Sequence, residues 1–142
     1  MAVILLVEDE VVYRTMISKF LEAAGHSVLL AGSGLDVVKM LHNWNGPVPD
    51  LIITDQMMPG MSGYEVVRVL RTQEATRKVP ILMLTAYAQL KDVITEEQVP
   101  LLDKQTSLKD ILAVVEKLLQ EAPKAAKPLP PPKPLHIQRD FY

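Results

Sequence analysis

The sequence contains no cysteine, and its 142 residues show no strong excess of either charge. Without thiols, the chain can form neither a disulfide scaffold nor a thiolate site. The net charge of −2 gives no reason to expect attachment to nucleic acid or to a membrane surface. No apolar run reaches transmembrane length, and the apolar start at Val3–Val7 is too short for a signal peptide. We therefore expect a cytoplasmic protein.

Proline is unevenly distributed, since six of the eleven prolines lie between residues 123 and 142. The rest of the chain is long enough for one domain with a full core. We predict a domain over residues 1–121 and a Pro-rich basic tail over residues 122–142, extended or disordered, because proline removes backbone donors that helices and central strands need. The tail is interpreted as a linker, with a docking peptide as the alternative.

Before the tail, short apolar runs alternate with amphipathic segments. Strands are predicted at Val3–Val7, Ser27–Ala31, Leu51–Asp55, Val79–Thr85 and Val99–Leu102. Helices are predicted at Val11–Ala24, Gly34–Asn43, Ser62–Glu74, Lys91–Gln98 and Leu108–Glu121. This alternation predicts an α/β fold, a doubly wound five-stranded parallel sheet with helices on both faces.

Two expectations concern side chains away from the strand ends. Apolar residues recur along the first helix at Val12, Met16, Phe20 and Leu21, a spacing that predicts an amphipathic helix. The histidines show no spacing typical of metal ligands and are expected at the surface, at His26, His42 and His136.

The most informative stretch is Leu51–Asp55, an apolar run that ends in a single acid and is followed by a turn. Such a run is typical of a strand buried on both faces of a parallel sheet. Asp55 would then lie where the strand meets solvent, at the end where open α/β sheets bind ligands. Pro59 and Gly60 favour a turn there, and Ser62 is a candidate N-cap of the next helix.

Other chemically active side chains follow the remaining predicted strands. Glu8 and Asp9 follow the first strand, Thr85 ends the fourth, and Lys104 follows the fifth. At one sheet edge, the carboxylates of Glu8, Asp9 and Asp55 would repel one another unless a cation binds between them. An oxygen-rich site without thiol or imidazole suits Mg²⁺. Each residue alone also has an ordinary structural explanation, as a helix start, a turn, a β-former or a surface charge.

This arrangement makes Asp55 a candidate carboxylate nucleophile that forms an acyl phosphate. The new phosphoryl oxygens would need partners, and the neighbouring strand ends offer two. Lys104 would supply a positive charge and Thr85 a hydroxyl donor. The joint placement of these residues at several strand ends favours the functional explanation over the structural ones.

In this order, the motifs resemble the receiver domain of two-component response regulators. The resemblance extends over residues 2–121 and rests on Ile4–Glu10, Asp50–Asp55, Met58–Gly63, Pro80–Ala86 and Asp103–Lys104. It implies a flavodoxin-like sheet with strand order 2-1-3-4-5.

The resemblance also implies roles for individual residues. Asp55 would accept the phosphoryl group, and Thr85 and Lys104 would bind it. The implied ligands of Mg²⁺ are the carboxylates of Glu8, Asp9 and Asp55 and the backbone carbonyl of Met57.

The implied function is a phosphorylation-dependent signalling switch of a two-component phosphorelay. The chain would not be an enzyme, although slow loss of its own phosphoryl group is expected. A histidine kinase or phosphotransfer protein would be the donor, and a protein rather than nucleic acid or membrane would read the state. A weak or phosphorylation-dependent homodimer is left open. The alternatives are a constitutive protein-interaction module and a receiver fragment of a larger regulator.

The chain differs from the family pattern beside two of these motifs. Receivers usually have proline where Gln105 follows Lys104, and an aromatic residue where this chain has Leu101. A cis Lys104–Gln105 bond would cost about 2.5–4 kcal/mol, so we predict a trans bond. The segment between Thr85 and Lys104 is shorter than usual, which predicts a shortened or displaced fourth helix.

Overall fold

Five short strands and four helices make up the regular structure of the computed structural model, which describes residues 1–42, 48–86 and 99–122. The strands are β1 (Val3–Val7), β2 (Ser27–Ala31), β3 (Leu51–Asp55), β4 (Ile81–Thr85) and β5 (Leu101–Asp103). The helices are α1 (Val11–Ala23), α2 (Gly34–His42), α3 (Gly63–Thr72) and α4 (Leu108–Glu121). The helix predicted over residues 91–98 and the tail over residues 123–142 lie outside the described residues.

Every pair of neighbouring strands is parallel, and the strand order is β2-β1-β3-β4-β5. The predicted doubly wound α/β fold with order 2-1-3-4-5 is therefore confirmed. Asp55 lies opposite Leu84 on β4, and Thr85 lies opposite Asp103 on β5. Because the strands run in one direction, their carboxyl ends share one edge of the sheet.

Successive residues of the central strands point to opposite faces of the sheet and build two cores. One core combines Leu5, Ile52 and Met83 with apolar residues of α2 and α3. The other combines Leu6, Ile53 and Leu84 with apolar residues of α1 and α4. Both faces are buried, which explains why these strands are continuous apolar runs without polar alternation.

Local signals in the sequence begin and end the helices. Ser62 and Glu65 form a capping box at α3: the Glu65 N–H donates to Ser62 Oγ at 3.2 Å, and the Ser62 N–H donates to Glu65 Oε1 at 3.1 Å. Ser107 caps α4 by accepting from the Asp110 N–H at 3.1 Å. Gly25, with a φ of 96°, follows the C-cap of α1. Ser62 and Ser107 thus satisfy N–H groups at the starts of α3 and α4, and Gly25 lets the chain turn after α1.

Two strands begin later than predicted because a proline precedes each of them. Proline has no backbone N–H and cannot donate to the ladder of a sheet. Thus β4 begins at Ile81, after Pro80, and β5 begins at Leu101, after Pro100. The carbonyls of both prolines still accept, from Ile52 and Met83 respectively, so the chain already lies along the sheet there.

Not all of the apolar residues that predict α1 lie on its buried face. Leu21 is fully buried against the core beneath α1 and α4, together with Ile17, whereas Val12 is 76% exposed and Met16 is 43% exposed. The apolar stripe on this helix is wider than the surface that contacts the sheet, so apolar spacing alone could not select the buried row.

His26 is a second correction, because it is buried rather than at the surface. Its Nδ1 accepts from the Ala2 N–H at 3.2 Å, and its Nε2 lies 2.8 Å from Glu116 Oε1. The ring therefore joins the start of β1 to α4. His42 is partly buried at the end of α2, and His136 lies outside the described residues.

Over residues 1–42, 48–86 and 99–122, no helix has both the length and the apolar character needed to cross a bilayer.

Candidate functional site

Three carboxylates meet at the carboxyl edge of the sheet. Glu8 and Asp9 directly follow β1, and Asp55 is the last residue of β3. One ligand oxygen from each residue lies within 4.8 Å of the others. Glu8 and Asp55 are buried, with 2% and 4% exposure, and Asp9 is more exposed. The structure thus brings together the three acids that the sequence placed at this edge.

The ammonium of Lys104 enters this carboxylate cluster from the end of β5. Its Nζ lies 2.7 Å from Glu8 Oε1 and 3.1 Å from Asp55 Oδ2. The Lys104 N–H donates to the carbonyl of Thr85 at 2.9 Å, which fixes the backbone of the lysine on β4. Burial disfavours the charged ammonium, but the hydrogen bonds to Glu8 and Asp55 outweigh it and raise the pKa of Lys104.

The charged form of Glu8 is destabilised in this arrangement. Burial raises the pKa of Glu8 above its usual value, and the negative charge of Asp55 adds to the effect. Hydrogen bonds from Lys104 and from the Glu10 N–H, which lies 3.1 Å from Glu8 Oε2, act in the opposite direction. The Lys104 ammonium contacts Glu8 and Asp55, and Asp9 adds a third carboxylate to the cluster, so a further cation would be stabilised there.

Asp55 is less accessible than its place at a strand end predicted. Glu8 and Lys104 lie against it, and its exposure is only 4%. Its Oδ1 accepts from the Met57 N–H at 3.3 Å, while its Oδ2 faces Lys104. Each carboxylate oxygen therefore has its own partner, and the side chain of Met57 remains 52% exposed beside the site.

Gly63 explains how α3 can begin so close to Asp55. A Cβ atom on this residue would overlap the carbonyl oxygen of Asp55. The Gly63 N–H also donates to the carbonyl of Gln56 at 3.0 Å. The turn after β3 therefore closes tightly onto the strand, which fixes the backbone that carries Asp55.

Thr85 ends β4 at the same edge and is completely buried. The strand β4 lies next to β3, which carries Asp55. Ala86, the next residue, is exposed. The structure thus places a hydroxyl side chain at the end of the strand between Asp55 and Lys104, as the sequence predicted.

The loop after Lys104 adopts the predicted trans geometry. No peptide bond among the described residues is cis, which confirms the expectation for Lys104–Gln105. Asp103 holds the turn instead: its Oδ1 accepts from the Gln105 N–H at 2.7 Å, and its carbonyl accepts from the Thr106 N–H at 2.9 Å. A side chain thus supports the turn at the position where the family pattern described above has proline.

Two residues of α1 belong to the site and were missed by the sequence reasoning. The Tyr13 hydroxyl donates to the carbonyl of Lys104 at 3.3 Å, and the Lys104 Nζ lies 4.7 Å from the centroid of the Tyr13 ring. Burial raises the pKa of Tyr13 to about 12. Arg14 Nη1 donates to the carbonyl of Glu8 at 2.9 Å. The sequence signal that could have indicated them is that Tyr13 and Arg14 lie in the first turn of α1, shortly after Glu8.

The donor set determines which ion the cluster could hold. Glu8, Asp9 and Asp55 offer carboxylate oxygens only, and hard cations such as Mg²⁺ prefer oxygen. The ligand oxygens are close enough to share one ion. The cluster is therefore a candidate metal site, with Lys104 as a neighbouring positive charge.

The chain matches the family model of the response regulator receiver domain over residues 4–116. With the fold and the site described above, it belongs to the response regulator receiver domain family. Receiver domains are signalling modules rather than classical enzymes, and they interact with histidine kinases or phosphotransfer proteins.

Among curated proteins, the chain is similar to the transcriptional regulatory protein AfsQ1 of Streptomyces coelicolor. The two are 41% identical over 91 residues, which cover 64% of this chain and 38% of the relative. The chain spans between 38% and 53% of the length of the curated relatives it matches.

Two solved receiver structures are also similar to the chain. One is the receiver domain of a sensor histidine kinase from Pseudomonas aeruginosa, with a magnesium ion coordinated in its active-site cleft; it has a TM-score of 0.75 and 29% identity, covering 84% of this chain and 98% of that one. The other is the response regulator protein TrrA from Thermotoga maritima in complex with Mg²⁺-BeF, with a TM-score of 0.72 and 29% identity, covering 83% and 99%.

Proposed function

We propose that the chain is a phosphorylation-dependent signalling switch of a two-component phosphorelay. Asp55 would accept the phosphoryl group from a histidine kinase or a phosphotransfer protein, with the help of Mg²⁺. One observation carries the proposal: three carboxylates and the ammonium of Lys104 converge at one sheet edge, with Nζ 3.1 Å from Asp55 Oδ2. This convergence combines a nucleophile, a cation site and an anion partner.

In the proposed step, a carboxylate oxygen of Asp55 attacks the phosphorus of the donor. An oxygen–phosphorus bond forms, and the bond between phosphorus and the leaving imidazole nitrogen of a phosphohistidine donor breaks, with its electron pair passing to that nitrogen. Lys104 then exchanges its contact with Asp55 Oδ2 for one with a phosphoryl oxygen, and the Thr85 hydroxyl donates to another. The positive charge needed by the product is thus already beside the nucleophile.

The residues that would hold Mg²⁺ are the carboxylates of Glu8, Asp9 and Asp55 and the backbone carbonyl of Met57. When bound, the ion would offset the charge of the carboxylates and of the incoming phosphoryl oxygens. The all-oxygen donor set supports this assignment, and so does the magnesium ion in the cleft of the Pseudomonas receiver domain.

A phosphoryl group on Asp55 would draw Thr85 and Lys104 towards it. These residues terminate β4 and follow β5, so their movement would alter the surface at those two strands. We propose that a protein partner reads this surface. In this arrangement residues 1–121 are the receiver unit, and residues 122–142 connect or tether it.

The test is to incubate the chain with Mg²⁺ and a small acyl-phosphate donor and to weigh the intact protein. We expect the wild type to gain the mass of one phosphoryl group and Asp55→Asn to gain none. Asp50→Asn is the matched control, because Asp50 precedes the same strand at its opposite end. It should be modified like the wild type, and a chelator should abolish the reaction.

A wild-type chain that takes no phosphoryl group from this donor or from its histidine kinase would contradict the proposal. The constitutive protein-interaction module would then be the better description, because the site would be present without its reaction.

A further inference from the structure

We propose that Tyr13 is a positioning residue that holds the Lys104 ammonium beside Asp55. The inference rests on the function proposed above, in which Lys104 binds the phosphoryl group. Tyr13 belongs to the first turn of α1, and Lys104 follows β5, 91 residues later in the chain. The contact therefore joins two elements that meet only in the folded protein.

The Tyr13 side chain contacts both ends of the lysine residue. Its ring centroid lies 4.7 Å from the Lys104 Nζ, within the range in which a ring face attracts a cation. Its hydroxyl donates to the Lys104 carbonyl at 3.3 Å. A lysine side chain has four flexible carbons, so holding the carbonyl and the ammonium together restricts where the charge can lie.

The ring acts together with the carboxylates that the ammonium faces. Nζ lies 2.7 Å from Glu8 Oε1 and 3.1 Å from Asp55 Oδ2, and the ring of Tyr13 provides a further surface for the charge. If Mg²⁺ or a phosphoryl group takes over the carboxylate oxygens, the ring contact does not depend on them. Tyr13 would then keep the ammonium at the site while its anionic partners change.

Tyr13 is itself firmly placed. Its ring packs against the core beneath α1 and α4, which fixes the inner side of the residue. The next residue, Arg14, donates from Nη1 to the carbonyl of Glu8 at 2.9 Å. The first turn of α1 is thereby tied to the end of β1, so Glu8 and Tyr13 present a carboxylate and a ring to Lys104 from one rigid connection.

The loop after Lys104 is held by hydrogen bonds other than the one from Tyr13. The Lys104–Gln105 bond is trans, and Asp103 supports the turn through the N–H groups of Gln105 and Thr106. These hydrogen bonds fix the backbone beyond the lysine. The bond from Tyr13 fixes the carbonyl of the lysine itself, from a different element of the fold.

The first experiment compares the rate at which Asp55 gains a phosphoryl group from a small acyl phosphate with Mg²⁺, followed by intact mass. Tyr13→Phe keeps the ring and removes the hydroxyl, whereas Tyr13→Leu removes both contacts. We expect Tyr13→Phe to react about twofold more slowly and Tyr13→Leu about tenfold more slowly than wild type. Tyr64→Leu is the matched control, because the Tyr64 ring also has a cation over it, with Arg68 Cζ 5.8 Å from the ring centroid. This variant should react within about twofold of wild type.

The second experiment measures the Lys104 side chain directly by NMR, without Mg²⁺ or donor. In the wild type we expect the methylene group next to Nζ to show a ring-current shift and restricted motion. Tyr13→Phe should keep the shift, and Tyr13→Leu should lose it while the rest of the spectrum remains folded. A residue that only stabilised α1 would lower the resistance to urea without moving these lysine signals.

Unchanged lysine signals in folded Tyr13→Leu would overturn the proposal. If Tyr13→Leu does not fold, Tyr13→Met is measured in its place, and the same comparison applies. A wild type that takes no phosphoryl group would instead refute the proposed function, and the lysine signals would still decide whether Tyr13 positions Lys104. The two failures are therefore distinguishable.

Discussion

Lys104 Nζ lies 2.7 Å from Glu8 Oε1, a contact that joins the end of β5 to the end of β1 across the two strands between them. Asp55 belongs to one of those intervening strands, and the same ammonium reaches its Oδ2 at 3.1 Å. The positive charge therefore already lies among the carboxylates that would bind a metal ion. Lys104 and Mg²⁺ would compete for the same oxygens, and this competition can be measured.

Removing the ammonium should destabilise the metal-free chain. In Lys104→Met, the buried carboxylates of Glu8 and Asp55 lose their cation, and we expect the free energy of unfolding to fall by about 3 kcal/mol. Added Mg²⁺ should stabilise the variant more than the wild type, because the ion no longer competes with Lys104. Urea denaturation with Mg²⁺ and with a chelator measures both effects.

Lys117→Met provides the control for that measurement. Lys117 is exposed and forms a 3.8 Å pair with Glu121 on α4, so its loss should cost no more than about 0.5 kcal/mol and should not respond to Mg²⁺. An equal gain from Mg²⁺ in wild type and Lys104→Met would contradict the competition.

The pKa of Tyr13 predicts a loss of stability at high pH. Burial raises it to about 12 from an ordinary value of 10.0, so between these pH values the folded chain keeps a proton that the unfolded chain has lost. By linkage, the contribution of Tyr13 is fully present below pH 10.0 and is lost as the pH rises through about 12. We expect the unfolding free energy of wild type to fall more steeply across this interval than that of Tyr13→Phe. Parallel curves in urea denaturation would show that Tyr13 ionises normally.

Two glycines near Asp55 should respond differently to alanine. In Gly63→Ala the new methyl group would overlap the Asp55 carbonyl, and we expect a loss of about 3 kcal/mol with impaired phosphoryl acceptance. In Gly60→Ala the space is open, but the φ of 83° is unfavourable, so the loss should be about 1–2 kcal/mol with acceptance retained. Urea denaturation and intact mass separate the two. Equal effects would mean that the close approach of α3 to β3 is not required.

The lifetime of the phosphoryl group should depend on Met57. Its backbone N–H donates to Asp55 Oδ1 and its apolar side chain is 52% exposed, so we expect that side chain to hinder an attacking water. We expect Met57→Ala to lose the group about threefold faster than wild type once the donor is removed, as followed by intact mass. Met16→Ala, an exposed methionine on α1, is the control and should decay like wild type.

The strand ends could be predicted because the sequence marks them locally. Three apolar residues and Thr54, all buried, make β3 recognisable before its terminal acid, and the parallel direction of the strands then brings Glu8, Asp55 and Lys104 to one edge. The same locality explains the capping box of α3 and the turn at Gly60, which depend on neighbouring residues only. Prediction was therefore most accurate where a short segment determines its own structure.

The features that were missed depend on packing between distant segments. The rotation of α1 about its axis decides that Ile17 is buried and Met16 exposed, and that Tyr13 faces Lys104. Apolar spacing permits more than one rotation, and only contact with α4 and the sheet selects it. The burial of Asp55 likewise depends on where the flexible Lys104 side chain lies, which no local pattern specifies.

Arg71, near the end of α3, stabilises the loop that leads into β4. Its Nη1 lies 2.6 Å from the carbonyl of Val79 and 3.1 Å from that of Arg77, so the guanidinium satisfies carbonyls of the loop that leads into β4. The bond to Val79 is partly buried, and a hydrogen bond from a charged donor is costly to lose in such a place. The loop would otherwise have to find water for these groups while Val79 stays packed in the core.

We therefore expect Arg71→Met to lower the unfolding free energy by about 2 kcal/mol, because the carbonyls of Arg77 and Val79 lose a charged donor. Arg68→Met is the matched control on the same helix: Arg68 is exposed, with its guanidinium 5.8 Å from the centroid of the Tyr64 ring, and its loss should cost about 0.5 kcal/mol. Urea denaturation measures both. Because these contacts of Arg71 lie away from the carboxylate cluster, Arg71→Met should still accept a phosphoryl group at urea concentrations below its unfolding transition. A loss of acceptance under those conditions would show that the start of β4 is coupled to Thr85 at the other end of the strand.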